Sequence, residues 1–124
     1  MNVVDSSAWL EYFADTPQAA VFAPVIEDSL QLLVPVICIY EVFKLIATQR
    51  GLSPAYTSIA DMYHGKLVDI DAGLALKAAE ISMDFRLPLA DSLILAVTRQ
   101  FHATLWTQDE HFKGLDGVQY FPIQ

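Results

Sequence analysis

A single cysteine, Cys38, stands in this chain, so no internal disulfide can form and a cross-linked small scaffold is excluded. Basic residues are scarce: seven Lys and Arg face fifteen Asp and Glu, a formal net charge of −8. That balance argues against sequence-blind electrostatic binding of nucleic acid, which depends on Lys and Arg neutralising phosphates. Glycine numbers only five, and no Gly-rich phosphate loop occurs, which excludes P-loop and dinucleotide-binding chemistry. Long apolar runs are absent too. The longest uncharged stretch, Ser29 to Tyr40, has 12 residues, against the roughly 20 that cross a bilayer. The opening Met-Asn-Val-Val-Asp has no basic segment and does not read as a secretory signal, so a cytoplasmic protein without membrane contact is expected.

What is abundant is apolar surface. Hydrophobic residues make up 54% of the chain and charged ones 18%, where globular averages are about 45–50% and about 25%. A disordered acidic chain lacks such content, because it cannot offset the entropy of ordering. At 124 residues the chain fits one domain, residues 1–124, around one core. The apolar surplus also points to a covered surface, most simply a second copy or a partner chain.

Short apolar runs alternate with helical patterns. Residues 2–5, 32–34, 67–70, 103–107 and 118–121 read as strands. Ser6 and Ser7 read as caps of a helix bearing Trp9, Leu10 and Phe13, and Thr16-Pro17 as the start of a second helix that Pro24 breaks in two. Val36–Arg50 is helical in pattern, with Gly51 closing it; Ser53-Pro54 opens another helix running to about His64. Tyr56, Ile59, Met62 and Tyr63 fall on one stripe of that helix, either core or interface. Asp71 caps a helix ending near Arg86, and Pro88 separates it from a last apolar helix, Ala90–Phe101, beyond which His102 reads as a capping residue. This alternation predicts a three-layer α/β/α sandwich around a mainly parallel sheet. In such sheets, sites form at the carboxyl ends of the strands.

Most of the acids are explained as caps or solvated faces, Asp15 and Asp71 among the caps. Four are not. Asp5 ends a buried strand, Glu41 sits inside an apolar helix, Asp91 interrupts two apolar runs, and Asp109 follows Leu105-Trp106-Thr107. Each alone has a structural explanation: a helix dipole for Asp91, a cap for Asp109, an ion pair with Lys44 for Glu41. Together they demand compensation, since seven basic residues offer no matching set of buried cations and carboxylates cluster only with protons or metal ions between them. Oxygen ligands favour Mg²⁺ or Mn²⁺; zinc has little support, with one Cys and with His64, His102 and His111 unsuitably spaced.

The ordered set Asp5-Ser6-Ser7, Ile39-Tyr40-Glu41-Val42-Phe43-Lys44, Leu87-Pro88-Leu89-Ala90-Asp91-Ser92 and Thr107-Gln108-Asp109 resembles PIN-domain ribonucleases, and within them the VapC toxins of toxin–antitoxin pairs. The likeness runs from residue 2 to about 121, and Pro-x-Ala-Asp-Ser is its strongest motif. It implies an endoribonuclease dependent on Mg²⁺ or Mn²⁺, with Asp5, Glu41 and Asp91 as core acids, Asp109 as a fourth, and Ser6 and Thr107 as hydroxyls that orient acids or water. It also implies an RNA substrate, a cognate antitoxin and a homodimer. Lys44 is a candidate phosphate contact, with Arg50 and Arg86 weaker ones. One departure is visible: where many relatives carry a further Asp before Phe112, this chain has His111. A PIN-like interaction module without catalysis is the competing reading, against which all four acids count. A haloacid-dehalogenase-like phosphatase needs a second Asp where Ser7 stands, and a receiver domain needs adjacent acids near the first strand.

Overall fold

The computed structural model describes residues 1–124. Five strands, β1 (Asn2–Val4), β2 (Leu32–Pro35), β3 (Lys66–Val68), β4 (Thr104–Thr107) and β5 (Val118–Tyr120), form one sheet in the order β3-β2-β1-β4-β5, with every pairing parallel. Six helices connect them: α1 (Ser6–Ala14), α2 (Ala19–Glu27), α3 (Val36–Arg50), α4 (Leu52–Met62), α5 (Ala72–Phe85) and α6 (Leu89–Gln100). Successive strand residues point to opposite faces. Val3 and Val4 of β1 are both fully buried, as is all of β2, so helices cover the sheet on both sides. The three-layer expectation is met, and the sheet is wholly parallel.

From β1 the chain steps to β2 and β3 on one side, then returns to β4 and β5 on the other. The reversal falls between β1 and β4, and a crevice opens beyond their carboxyl ends. Val4 pairs with Trp106, and the ladder continues one step further as the Asp5 N–H donates to the Trp106 carbonyl at 3.1 Å. Asp5 is thereby set beside Thr107.

Several local expectations are corrected. Asp5, not Ser6 or Ser7, caps α1: its carboxylate accepts the Ala8 N–H at 3.2 Å. Asp15 takes a left-handed conformation at the end of α1, and the chain turns through Thr16–Gln18 before α2 begins at Ala19. Pro24 does not break α2, which continues through it to Glu27. Only the Ala20 carbonyl loses its i+4 donor, and both Ala20 and Pro24 are exposed, so the stranded carbonyl is not sealed in the core. Pro24→Ala restores that bond and is expected to raise the free energy of unfolding by about 1 kcal/mol or more, measured by denaturant titration; an unchanged or lower midpoint would contradict this account of α2. The α4 stripe divides, with Ile59 and Met62 in the core and Tyr56 and Tyr63 exposed. Gly65, where α4 gives way to β3, tolerates no side chain: a Cβ there would lie 2.8 Å from Val34 Cγ2.

Candidate metal centre

The four acids singled out in the sequence line one cleft of about 540 Å³ beyond the ends of β1 and β4. Asp5 comes from the end of β1, Glu41 from the second turn of α3, Asp91 from the first turn of α6, and Asp109 from the segment after β4. Asp5 and Asp91 sit at helix N-termini, where the helix dipole favours negative charge. Ser6, Ser7, Leu10, Tyr40, Lys44 and Ile94 complete much of the wall.

Asp5 is 2% exposed, a burial an unpaired carboxylate rarely tolerates. Three donors hold it: Ser7 Oγ at 2.8 Å and the Ala8 N–H at 3.2 Å on Oδ1, and Thr107 Oγ1 at 2.9 Å on Oδ2. Burial nevertheless pushes its pKa up to about 7, against the lowering effect of those bonds and with Asp109 adding repulsion. Burial likewise raises Asp91 to about 6, with the Asp109 charge adding to it and His111 opposing. Both shifts record carboxylates withdrawn from water beside a like charge, with no Lys or Arg paired to either.

The hydroxyls act as brackets. Ser6 Oγ donates to Glu41 Oε1 at 2.6 Å, and Thr107 Oγ1, while donating to Asp5, accepts the Asp109 N–H at 2.9 Å. Thr107 thus ties two acids together from a fully buried position. Thr107→Val keeps the shape and leaves both partners unsatisfied, so a stability loss of about 1–3 kcal/mol is expected; a denaturation midpoint equal to wild type would show that the bracket carries nothing.

Two pairings differ from expectation. Lys44 forms no ion pair with Glu41; its ammonium lies 5.6 Å from the Tyr40 ring centroid, at the cleft wall. The residue whose place the sequence reading missed is His111. Its Nδ1 lies 2.9 Å from Asp91 Oδ2 and 3.2 Å from Asp109 Oδ1. Asp91, Asp109 and His111 each offer a ligand atom within 4.8 Å of the others, so the donor set is not oxygen alone. The signal was local: Asp109 Oδ1 accepts the His111 N–H at 2.9 Å, and a turn of that kind folds residue i+2 back toward the acid.

The sequence profile of the PIN domain family matches residues 3–118. No curated protein matches the chain. Among solved structures, a toxin–antitoxin complex from Klebsiella pneumoniae is similar with TM-score 0.82 at 20% identity, over 99% of this chain and 100% of that one. VapC20 of Mycobacterium tuberculosis, a sarcin–ricin loop cleaving toxin, gives 0.80 at 16%, over 98% and 100%. FitAcB of Neisseria gonorrhoeae gives 0.73 at 22%, over 98% of each chain. At these identities the likeness is one of fold. No helix is long and apolar enough to cross a membrane.

Proposed function

This chain belongs to the PIN domain family, and from that premise we propose that it is an endoribonuclease that hydrolyses RNA phosphodiester bonds with Mg²⁺ or Mn²⁺ held in the carboxylate cleft. One observation carries the reading. Asp5, Glu41, Asp91 and Asp109 converge in a single cleft, yet no Lys or Arg makes a salt bridge to any of them. Buried carboxylates in that state are stable only with protons or a cation between them. The donors fit a divalent ion: carboxylate oxygens suit Mg²⁺ and Mn²⁺, and a histidine nitrogen stands beside them.

Asp91, Asp109, Asp5 and Glu41 would hold the ion. Bound there, it supplies positive charge against the scissile phosphate and lowers the pKa of water at the site. The chain's own part is positioning. Ser6, Ser7 and Thr107 fix the orientations of Glu41 and Asp5 before substrate arrives. Lys44, alone among the basic residues in lining the cleft, stands where a neighbouring phosphate would pass, and the exposed Tyr40 ring beside it offers a face to an unpaired base. Hydrolysis adds water across one P–O bond, leaving one product with a phosphate end and the other with a hydroxyl. A bound cation also answers the objection from net charge −8, because it inverts the local field.

The reading extends to a toxin of a toxin–antitoxin pair, acting in the cytoplasm as a homodimer with a cognate antitoxin. Solved structures of the same fold include toxin–antitoxin complexes, and apolar side chains stand exposed on α3 and α4, among them Leu52, Tyr56 and Leu45, the last of which lines the cleft. The test is cleavage of RNA by the purified chain with Mg²⁺ or Mn²⁺ and with chelator. Metal-dependent cleavage is expected. Inactivity toward diverse RNAs in both metals would favour an interaction module without catalysis.

A further inference from the structure

His111 is the only cation-capable side chain at ion-pair distance from the acids of the cleft. It is held there by more than its own contacts. The short 3₁₀ turn Glu110–Phe112 is capped by Asp109, and Phe112, the next residue, is fully buried and anchors the turn in the core. The imidazole as a whole stays more than half exposed.

The distances fit coordination. Two donors at about 2.1 Å from one ion, at right angles in an octahedron, stand about 3.0 Å apart. His111 Nδ1 lies 2.9 Å from Asp91 Oδ2 and 3.2 Å from Asp109 Oδ1. Both separations are close to an octahedral edge, so an ion can take these three ligand atoms with little movement of the side chains. Mg²⁺ is a hard ion bound through oxygen, whereas Mn²⁺, a first-row transition ion that shares its preference for carboxylates, loses less by taking one imidazole nitrogen among them. We propose that His111 Nδ1 is a ligand of the ion held by Asp91 and Asp109, and that it makes this site select Mn²⁺ over Mg²⁺. The proposal rests on the metal-binding reading above and adds the identity of the ion and the residue that chooses it.

The experiment adds Mn²⁺ to the metal-free chain and records electron spin echo modulation, with Mn²⁺ and Mg²⁺ affinities measured by competition. Wild type is expected to show ¹⁴N modulation from a coordinated imidazole. His111→Asp, which changes an exposed side chain and supplies an oxygen in its place, should bind Mn²⁺ without that modulation. Its preference for Mn²⁺ over Mg²⁺ should fall on the order of tenfold. His64 and His102 stand at ion-pair distance from none of these acids, so they supply no competing signal. Mn²⁺ bound to wild type without nitrogen modulation, or modulation that survives in His111→Asp, overturns the role of His111 and leaves the ion site standing. No Mn²⁺ uptake by wild type overturns the metal reading itself, and this inference with it.

Discussion

Asp91→Asn is expected to reduce RNA cleavage at least about 10³-fold while the chain remains folded. The substitution keeps size and shape in the first turn of α6 but removes a charge that the cleft uses and the core does not. Asp91 is half-buried, bonded to His111, and raised to about 6 mainly by burial and by the Asp109 charge. Asparagine offers a weaker oxygen donor and no negative charge, so the ion loses both a ligand and part of its attraction. Because Asp91 is held by repulsion as much as by partners, the metal-free variant should melt no lower than wild type. A variant that is inactive and unfolded would remove Asp91 from the site and return it to a structural role. A variant as active as wild type would show that the cleavage came from a contaminant.

Asp5→Asn should stabilise the metal-free chain near pH 8 and flatten its dependence on pH. The carboxyl of Asp5 is pushed up to about 7 in the fold by burial, whereas an unfolded chain releases that proton near the ordinary value of about 4. Between those limits the folded chain keeps a proton the unfolded one has lost. Stability therefore falls as pH rises from about 4 to about 7, and stays low above it. Asp91, raised to about 6, has the same sign; so does His111, whose raised pKa, set chiefly by its bond to Asp91, makes its contribution vanish as pH rises. The Asp5 penalty at pH 8 has an upper bound of about 4 kcal/mol. Asparagine loses charge-assisted bonds from Ser7 and Thr107, so a net gain of about 1–2 kcal/mol is expected, which is several degrees in melting temperature for a chain of this size. Melting curves from pH 5 to pH 8 read this directly. A wild type whose stability rises across that range would contradict the assignment.

The strands and the acids could be read from the sequence because each is a local signal. Val3-Val4 and Leu32-Leu33-Val34 are continuous apolar runs, as strands buried on both faces require, and Asp71 caps α5 through the Leu74 N–H as its position suggests. Asp5, Glu41, Asp91 and Asp109 stood out because their neighbours are apolar. What could not be read depends on competition in space. Pro24 is tolerated because it and Ala20, whose carbonyl it strands, lie exposed on α2. Asp5 both caps α1 and enters the cleft, a double role hidden by the two serines after it, whose hydroxyls serve Glu41 and Asp5 instead. Lys44 has Tyr40 one turn before it as well as Glu41, and its ammonium lies over the ring. His111 is twenty residues from Asp91, and only the turn at Asp109 brings them together.

The most direct measurement is the melting temperature of the metal-free chain at pH 8 as Mn²⁺ or Mg²⁺ is added, with Na⁺ at matched ionic strength as reference and Asp91→Asn beside it. A ligand at a hundredfold over its dissociation constant stabilises the fold by about 2.7 kcal/mol. The account predicts a rise of several degrees with the divalent ion, none with Na⁺, and a rise largely lost in Asp91→Asn. Equal melting of wild type with and without divalent ions would mean that the cleft compensates its charge with protons alone, and would contradict the metal centre on which the nuclease reading stands.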